Sequence, residues 1–267
     1  MKGKRAIVLA SFGTSEAAAR GSTLDLLAKE VQEAYPSVSV RQAYTSNFVR
    51  RRMASEGISA PSVPECLEAL AQEGCEEVVV QPTHLSPGEE YENKILSLRP
   101  EFQRRFARFS LGTPLFFHEE NGSAREADFA VGLRTVMDCF PPETGEQLVL
   151  LGHGSPHRHN PIYEELQDVA DRKGWPVHIG LVEDTDTPNF SMVERRLKEK
   201  KADLVLLAPL LLTGGIHVSE DLAGEGEHSW KRRLQGLGFS VRVCMKGLGT
   251  FPEFRGLYLE KLRKLMI

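Results

Sequence analysis

The sequence predicts an α/β protein made of two similar lobes, each with a parallel sheet flanked by helices. Apolar runs of strand length alternate with stretches of helical spacing along the chain, which is the pattern of βα units. A strand followed by a turn of small residues occurs at residues 7–15 and again at 148–156, which indicates an internal repeat. The chain has 267 residues, enough for about two domains, and we expect lobes at 1–140 and 141–267.

In the first lobe, continuous or alternating apolar residues indicate strands, and apolar residues three and four positions apart indicate helices. Pro36 and Gly74 end two of these helices, and the stretch 141–145, rich in Pro and Gly, is the predicted linker. The predicted strands are residues 5–10, 38–44, 77–81 and 108–112. The predicted helices are residues 22–35, 47–53, 63–72, 92–98 and 126–139.

The second lobe repeats this order of strands and helices. Its predicted strands are residues 148–151, 177–182, 204–208 and 241–246. Its predicted helices are residues 162–173, 190–200, 230–237 and one at the end of the chain. An alignment of the two halves places Phe12 opposite His153 and Glu90 opposite His217.

Composition excludes several classes of protein. A net charge of -4 gives no general attraction for nucleic acid or an anionic membrane, so neither is expected as a partner. No stretch approaches the roughly 18 apolar residues of a membrane span, and the first residues lack the pattern of a secretory leader, so we expect a cytoplasmic protein. The four cysteines have no CxxC spacing, which disfavours a zinc ribbon, an iron–sulfur cluster or a disulfide framework. Whether the protein forms a homo-oligomer stays an open question at this point.

His153 is the first candidate for chemistry. It lies between two glycines at the predicted carboxyl end of a strand, where open α/β sheets place their ligands. An imidazole in this position can accept a proton near pH 7 or bind a divalent metal.

Three further residues follow predicted strands in the same way. Glu183 follows the strand 177–182, His217 lies on a loop after two glycines, and Glu90 has the equivalent position in the first lobe. Each has a simpler explanation: a solvated acidic loop, a surface histidine and an acidic helix start, respectively. Together with His153 they form a set of nitrogen and oxygen donors that suits a divalent first-row metal which is bound weakly and handed on.

The loop at residues 11–14 is the candidate for binding an anionic substrate. Ser11, Phe12, Gly13 and Thr14 lie between a strand and a helix start, where backbone N–H groups can bind a carboxylate. The loop lacks the lysine of a Walker motif, and no dinucleotide fingerprint is present, so no nucleotide is expected. His157 and His159 are either a second metal site or exposed polar residues.

An ordered set of short motifs covers essentially the whole chain. They are Ser-Phe-Gly-Thr-Ser at 11–15, Tyr-Thr-Ser at 44–46, Gly-Glu-Glu-Tyr-Glu at 88–92, Gly-His-Gly at 152–154, Val-Glu at 182–183, Gly-Ile-His at 215–217, and Asp221 followed by Ser-Trp-Lys at 229–231. In this order they resemble the anaerobic sirohydrochlorin cobaltochelatases, which belong to the class II, ATP-independent tetrapyrrole chelatases.

The resemblance implies two Rossmann-like lobes with a tetrapyrrole cleft between them. It also implies insertion of Co2+ into a sirohydrochlorin-type tetrapyrrole on the route to cobalamin. In this reading His153 is both general base and metal ligand, Glu183 and His217 complete the metal site, and Glu90 assists proton removal. Three alternatives stay open: an iron (Fe2+) or nickel (Ni2+) chelatase acting on the same tetrapyrrole, a non-enzymatic tetrapyrrole or metal binder, and a metallohydrolase using the two histidines.

Overall fold

The chain forms two compact units. The computed structural model describes residues 3–117, 125–155, 158–214 and 216–266, without the side chains of 125–127 and 216–219. One unit is Met1–Phe117 with Arg255–Ile267, and the other is His118–Phe254. This division differs from the expected lobes at 1–140 and 141–267, because the helix before residue 140 belongs to the second unit and the last helix to the first. The cleft expected between the lobes stays a prediction.

The first unit contains a four-stranded parallel sheet in the order β2-β1-β3-β4. The strands are β1 Lys4–Ser11, β2 Ser39–Tyr44, β3 Cys75–Pro82 and β4 Arg108–Leu111. Ile7 pairs with Val40 on one edge of β1 and with Val79 on the other, so β1 is a central strand. Ile7 and Val8 point to opposite faces of the sheet and both are buried, so β1 is covered on both faces.

Six helices accompany these strands along the chain. They are α1 Ala17–Gly21, α2 Leu24–Ala34, α3 Asn47–Ser55, α4 Val63–Gln72, α5 Glu89–Lys94 and α6 Arg99–Phe102, with a 3-10 turn at Leu96–Leu98. Helix α4 begins where it does because a capping box closes its N-terminus. The Ser62 side chain accepts from the backbone N–H of Glu65, and the Glu65 carboxylate accepts from the backbone N–H of Ser62. The buried face of α4, with Leu67, then packs against Val8 and Val78 of the sheet.

The second unit has the same topology, with the strand order β6-β5-β7-β8. Its strands are β5 Glu146–Gly152, β6 Val177–Leu181, β7 Leu204–Pro209 and β8 Ser240–Val243. Its helices are α7 Arg125–Cys139, α8 Ile162–Lys173, α9 Phe190–Glu199, α10 Ile216–Ala223 and α11 Trp230–Gly236, with a 3-10 turn at Leu248–Thr250. The predicted pair of parallel sheets flanked by helices is therefore confirmed, and the two sheets share one strand order, as expected of a repeat.

The last helix, α12 Pro252–Leu265, explains why the chain divides as it does. The Arg255 guanidinium pairs with the Glu30 carboxylate, with an Nε–Oε2 distance of 2.9 Å. The hydroxyl of the buried Tyr258 donates to the carbonyl oxygen of Thr83 at 2.7 Å. These partners belong to α2 and to the segment after β3, so the end of the chain completes the first unit.

The structure differs from the predicted elements at a few places. The helix predicted at 92–98 starts earlier, at Glu89, and is followed by the 3-10 turn, while α1 and α6 are short helices that the periodicity does not predict. His217 lies in α10, whereas a loop was expected. The cysteines behave as free thiols: Cys66, Cys75 and Cys139 are buried and Cys244 is half-buried. Within the described residues, no helix combines the length and the apolar character that crossing a membrane requires.

Candidate functional site

His153 directly follows β5, between two glycines that the geometry requires. A Cβ atom on Gly152 would lie 2.8 Å from the Tyr163 ring, and Gly154 has a φ of +76°, which favours glycine. The His153 side chain is exposed, and its Nδ1 lies 3.2 Å from the carbonyl oxygen of Gly154. In the tautomer that donates to this carbonyl oxygen, Nδ1 carries the hydrogen and Nε2 has the lone pair with which an imidazole binds a metal or a proton.

Glu183 lies beside His153 at the carboxyl edge of the second sheet. The backbone N–H of Glu183 donates to the carbonyl oxygen of His153 at 3.2 Å, and that of Val182 donates to Gly152 at 3.0 Å. The segments that leave β5 and β6 therefore stay paired beyond the strands. The expected position of both residues at strand ends is confirmed, and their metal-binding role stays a prediction.

Asp186 is a residue of this edge that the sequence analysis missed. Its carboxylate is fully buried and accepts from the backbone N–H groups of Ser155, at 2.9 Å, and Thr187, at 2.8 Å. The Ser155 bond ties the loop that carries His153 to the loop that carries Glu183. Asp186 stands in an acidic loop, and only its burial distinguishes it from its exposed neighbour Asp184.

His159 is held by two carboxylates. Its Nδ1 lies 2.9 Å from Oδ1 of Asp186, and its Nε2 lies 3.4 Å from Oε2 of Glu164. The hydrogen bond with Asp186 is the main reason why the pKa of His159 is raised above its usual 6.5. His157, the other half of the suggested second metal site, lies outside the described residues.

His217 is the second residue of α10, and its side chain lies outside the described residues. Glycine is required at position 214, because a Cβ there would lie 2.8 Å from the backbone oxygen of Met245. Among the described side chains, no three His, Cys, Asp or Glu residues are grouped so that they could hold a metal ion. The expected metal site of His153, Glu183 and His217 remains a prediction, because the side chain of His217 is not among the described ones.

The loop at residues 11–14 exposes one side chain. Ser11, Gly13 and Thr14 are buried, whereas Phe12 is 50% exposed. The Ser11 hydroxyl accepts from the Thr83 hydroxyl at 2.9 Å. Of the four residues expected to bind substrate, Phe12 is therefore the one with an exposed side chain, and the binding role of all four stays a prediction.

Phe48 is a second exposed aromatic near this loop, and sequence reasoning missed it. It lies in the first turn of α3 and is 62% exposed. The backbone N–H of Ser46, the N-cap of α3, donates to the carbonyl oxygen of Phe12 at 3.3 Å. The two aromatic residues thus belong to segments that are joined at the carboxyl edge of the first sheet.

Glu90 lies on α5 and is held by one of its two carboxylate oxygens. Its Oε1 is 2.7 Å from the ammonium of Lys94, which also donates to the backbone oxygen of Thr45 at 2.9 Å. Its Oε2 is buried and has no hydrogen-bond partner among the described residues. Glu90 is therefore more than an acidic residue at a helix start, because a lysine anchors it to the end of β2.

The two sheets, with the same strand order and with polar side chains at their carboxyl edges, define a protein with the class II chelatase fold. The solved structure of SirB from Bacillus subtilis with Fe3+ has this fold. It aligns with a TM-score of 0.65 at 19% sequence identity, over 98% of this chain and 95% of that chain.

The chain belongs to the cobalt chelatase (CbiK) family, whose model matches residues 5–267. Sirohydrochlorin cobaltochelatase CbiKC of Nitratidesulfovibrio vulgaris is 31% identical over 264 residues, which cover 97% of this chain and 89% of the relative. Sirohydrochlorin cobaltochelatase of Salmonella typhimurium is 26% identical over 268 residues, which cover 98% of this chain and 97% of the relative. The family expected from the short motifs is confirmed.

Proposed function

We propose that this protein is a sirohydrochlorin cobaltochelatase, which inserts Co2+ into sirohydrochlorin for cobalamin biosynthesis and needs no ATP. One observation carries the proposal: in a chain of the cobalt chelatase family, an exposed histidine and a glutamate are hydrogen-bonded through their backbones at the carboxyl edge of a parallel sheet. Ligand-binding residues of open α/β folds lie at this edge.

The reaction exchanges two protons for one metal ion. Sirohydrochlorin gives up two pyrrole N–H protons, Co2+ takes their place among the ring nitrogens, and the charges balance. The protein must therefore present the ion and accept protons, and it gains most by holding both reactants in position.

In our proposal His153, Glu183 and His217 present the cobalt. The Nε2 of His153 is the proposed ligand atom, because Nδ1 faces the carbonyl oxygen of Gly154. Imidazole and carboxylate donors without a thiolate suit an ion that must leave for the macrocycle. Asp186 supports this site through the loop of His153, since it binds the backbone of Ser155.

Glu90, together with His153, is the proposed proton acceptor. Lys94 binds one oxygen of the Glu90 carboxylate, and the other, buried oxygen has no hydrogen-bond partner among the described residues, which leaves it able to accept a proton. Phe12 and Phe48 are the proposed contacts to the flat face of the macrocycle. Both rings are exposed, and packing an aromatic ring against a conjugated system is favourable because it removes apolar surface from water.

The experiment is a spectroscopic assay under anaerobic conditions with purified protein, sirohydrochlorin and Co2+. A chelatase converts many equivalents of sirohydrochlorin when the protein is substoichiometric. A change that saturates at one equivalent of protein indicates a binder and contradicts the proposal. Parallel reactions with Fe2+ and Ni2+ determine which metal the protein inserts fastest, and a faster reaction with either would replace cobalt in the proposal.

A further inference from the structure

Lys94 joins two elements of the first unit through one ammonium group. It is the last residue of α5, and its Nζ lies 2.7 Å from Oε1 of Glu90, four residues earlier on the same helix. The same ammonium donates to the backbone oxygen of Thr45 at 2.9 Å. Thr45 is buried and directly follows β2, so Lys94 connects the helix that carries Glu90 to the carboxyl edge of the first sheet.

The backbone that Lys94 contacts is also bound to the loop expected to bind substrate. The N–H of Thr45 donates to the carbonyl oxygen of Ser11 at 2.8 Å, and Ser11 directly precedes the exposed Phe12. The two bonds of the ammonium therefore relate the position of the Glu90 carboxylate to the segment that carries Phe12.

Helix α5 has other contacts that hold it in place. Tyr91 is buried in the same apolar core cluster as Val8 of β1, and its ring packs edge-to-face on Phe117 with centroids 5.8 Å apart. The side chains of Lys94 and Glu90 are about one-third exposed, and a partly exposed pair with this spacing stabilises a helix only slightly. The bonds of Lys94 thus matter more for where the carboxylate lies than for whether the helix forms.

The two oxygens of the Glu90 carboxylate differ in their partners. Lys94 binds Oε1, whereas the buried Oε2 has no hydrogen-bond partner in the described part of the chain. A charge-assisted bond to one oxygen restricts the rotation of the whole group. A proton acceptor needs this restriction, because it must lie within hydrogen-bond distance of the proton that it takes.

We propose that Lys94 is a positioning residue for the proton acceptor: it bridges Oε1 of Glu90 and the backbone oxygen of Thr45 and so directs Oε2 to a pyrrole N–H. The pyrrole N–H bond breaks, the proton forms an O–H bond on Oε2, and the electron pair stays on the ring nitrogen, while Lys94 keeps its own protons. This inference rests on the proposed function, because it assumes that Glu90 accepts a proton from the macrocycle.

The kinetic test is Lys94→Met, which keeps a side chain of similar length without the ammonium. It should lower kcat for cobalt insertion by about tenfold or more, because a misplaced acceptor slows the proton transfer. KM for sirohydrochlorin should change little, since the backbone bond between Thr45 and Ser11 does not involve Lys94. In the Glu90→Gln background, Lys94→Met should have little further effect, because the side chain that it positions no longer accepts a proton.

The matched control is Lys198→Met on α9. Lys198 makes a pair of the same spacing with Glu194, at 2.6 Å, and has no hydrogen bond or ion pair to a second element among the residues that the structure describes. This variant should leave kcat unchanged. Equal rates for Lys94→Met and the wild type, an equal loss in Lys198→Met, or a full loss in the Glu90→Gln background would each overturn the positioning role.

Chemical rescue distinguishes the ammonium from the rest of the side chain. Aminoethylation of the Lys94→Cys variant restores an ammonium at nearly the original reach and should recover most of the lost kcat. Wild-type protein treated in the same way is the control, because the half-buried Cys244 can also react. A variant modified at position 94, as verified by mass spectrometry, that stays as slow as the unmodified one would overturn the proposal.

A last measurement does not depend on catalysis. Nitrogen-15 NMR of the lysine ammonium groups should show a Lys94 signal in slow exchange with water, identified by its absence from Lys94→Met. The exchange should become faster in Glu90→Ala and stay unchanged in Glu194→Ala. Fast exchange in the wild type, or an unaffected signal in Glu90→Ala, would refute the bridge. A wild type that inserts no cobalt would refute the proposed function, whereas the NMR comparison decides the pairing of Lys94 with Glu90 by itself.

Discussion

Asp186 shows how much one buried carboxylate can organise. It accepts from Ser155, Thr187 and His159, so it connects the loop after β5 to the loop after β6. Asp186→Ala should lower the free energy of unfolding by about 1–3 kcal/mol, the cost of leaving a buried donor unpaired. Asp186→Asn, which keeps one acceptor oxygen, should lose less, and urea denaturation measures both.

The control for Asp186 is its exposed neighbour Asp184. That carboxylate is exposed and lies 3.5 Å from a guanidinium nitrogen of Arg233, so Asp184→Ala should change stability by less than about 0.5 kcal/mol. Equal losses for Asp184→Ala and Asp186→Ala would show that the hydrogen bonds of Asp186 do not hold the loops.

His159 makes part of the stability dependent on pH. Its hydrogen bond with Asp186 raises its pKa above the usual 6.5, so the folded protein binds this proton more tightly than the unfolded chain. The resulting stabilisation is complete below about pH 6.5 and is lost as the pH rises through the raised pKa. His159→Ala should therefore destabilise more at about pH 6 than at about pH 9 in urea titrations. A constant difference across this range would contradict the assignment.

At the scale of the element, strand β6 packs closely against Trp230 because residue 180 is a glycine. Trp230 is buried and packs edge-to-face on Phe190, with ring centroids 4.9 Å apart. A Cβ on Gly180 would lie 2.3 Å from the Trp230 ring. Gly180→Ala should thus cost about 1–3 kcal/mol in thermal or urea unfolding, since the indole must move.

Gly236 is the matched control in the same unit. It ends the helix that Trp230 begins, and a Cβ there would meet no atom within 4 Å. Gly236→Ala should keep or slightly raise stability. If both variants unfold alike, the close approach of Trp230 to β6 is not what requires glycine at position 180.

The strands and most helices could be predicted because their signal is local. Runs such as residues 148–151 are apolar throughout, and α8 at Ile162–Lys173 has the apolar spacing of a helix along its whole length. Helix α10 escaped prediction because two glycines precede it, which indicates a loop. The repeat predicted that both units have the same architecture, and the two sheets share one strand order. That order itself was not predicted, since it depends on which strands pair.

The parts that sequence could not predict depend on contacts between distant residues. His153 and Glu183 were found because each follows a strand. Asp186 was not, because its burial and its hydrogen bonds to distant residues mark it, and neither property shows in the local pattern. The roles of the individual site residues stay predictions for the same reason.

At the scale of the whole molecule, the first unit is closed by the end of the chain. The Tyr258 hydroxyl donates to the Thr83 backbone at the carboxyl edge of the first sheet. Tyr258→Phe leaves that carbonyl without this donor and should cost about 1–2 kcal/mol. Hydrogen exchange should then show a larger loss of protection in β1 and β3 than in β5 and β7. An equal loss in both sheets would contradict the assignment of α12 to the first unit.

In our proposal His153 delivers cobalt to the macrocycle and takes up a proton. The initial rate of cobalt–sirohydrochlorin formation, with the protein substoichiometric, tests it most directly in the wild type and in His153→Ala. We expect turnover in the wild type and a loss of at least about 100-fold in a variant whose circular dichroism is unchanged. A folded His153→Ala protein that inserts cobalt at nearly the wild-type rate would contradict the account.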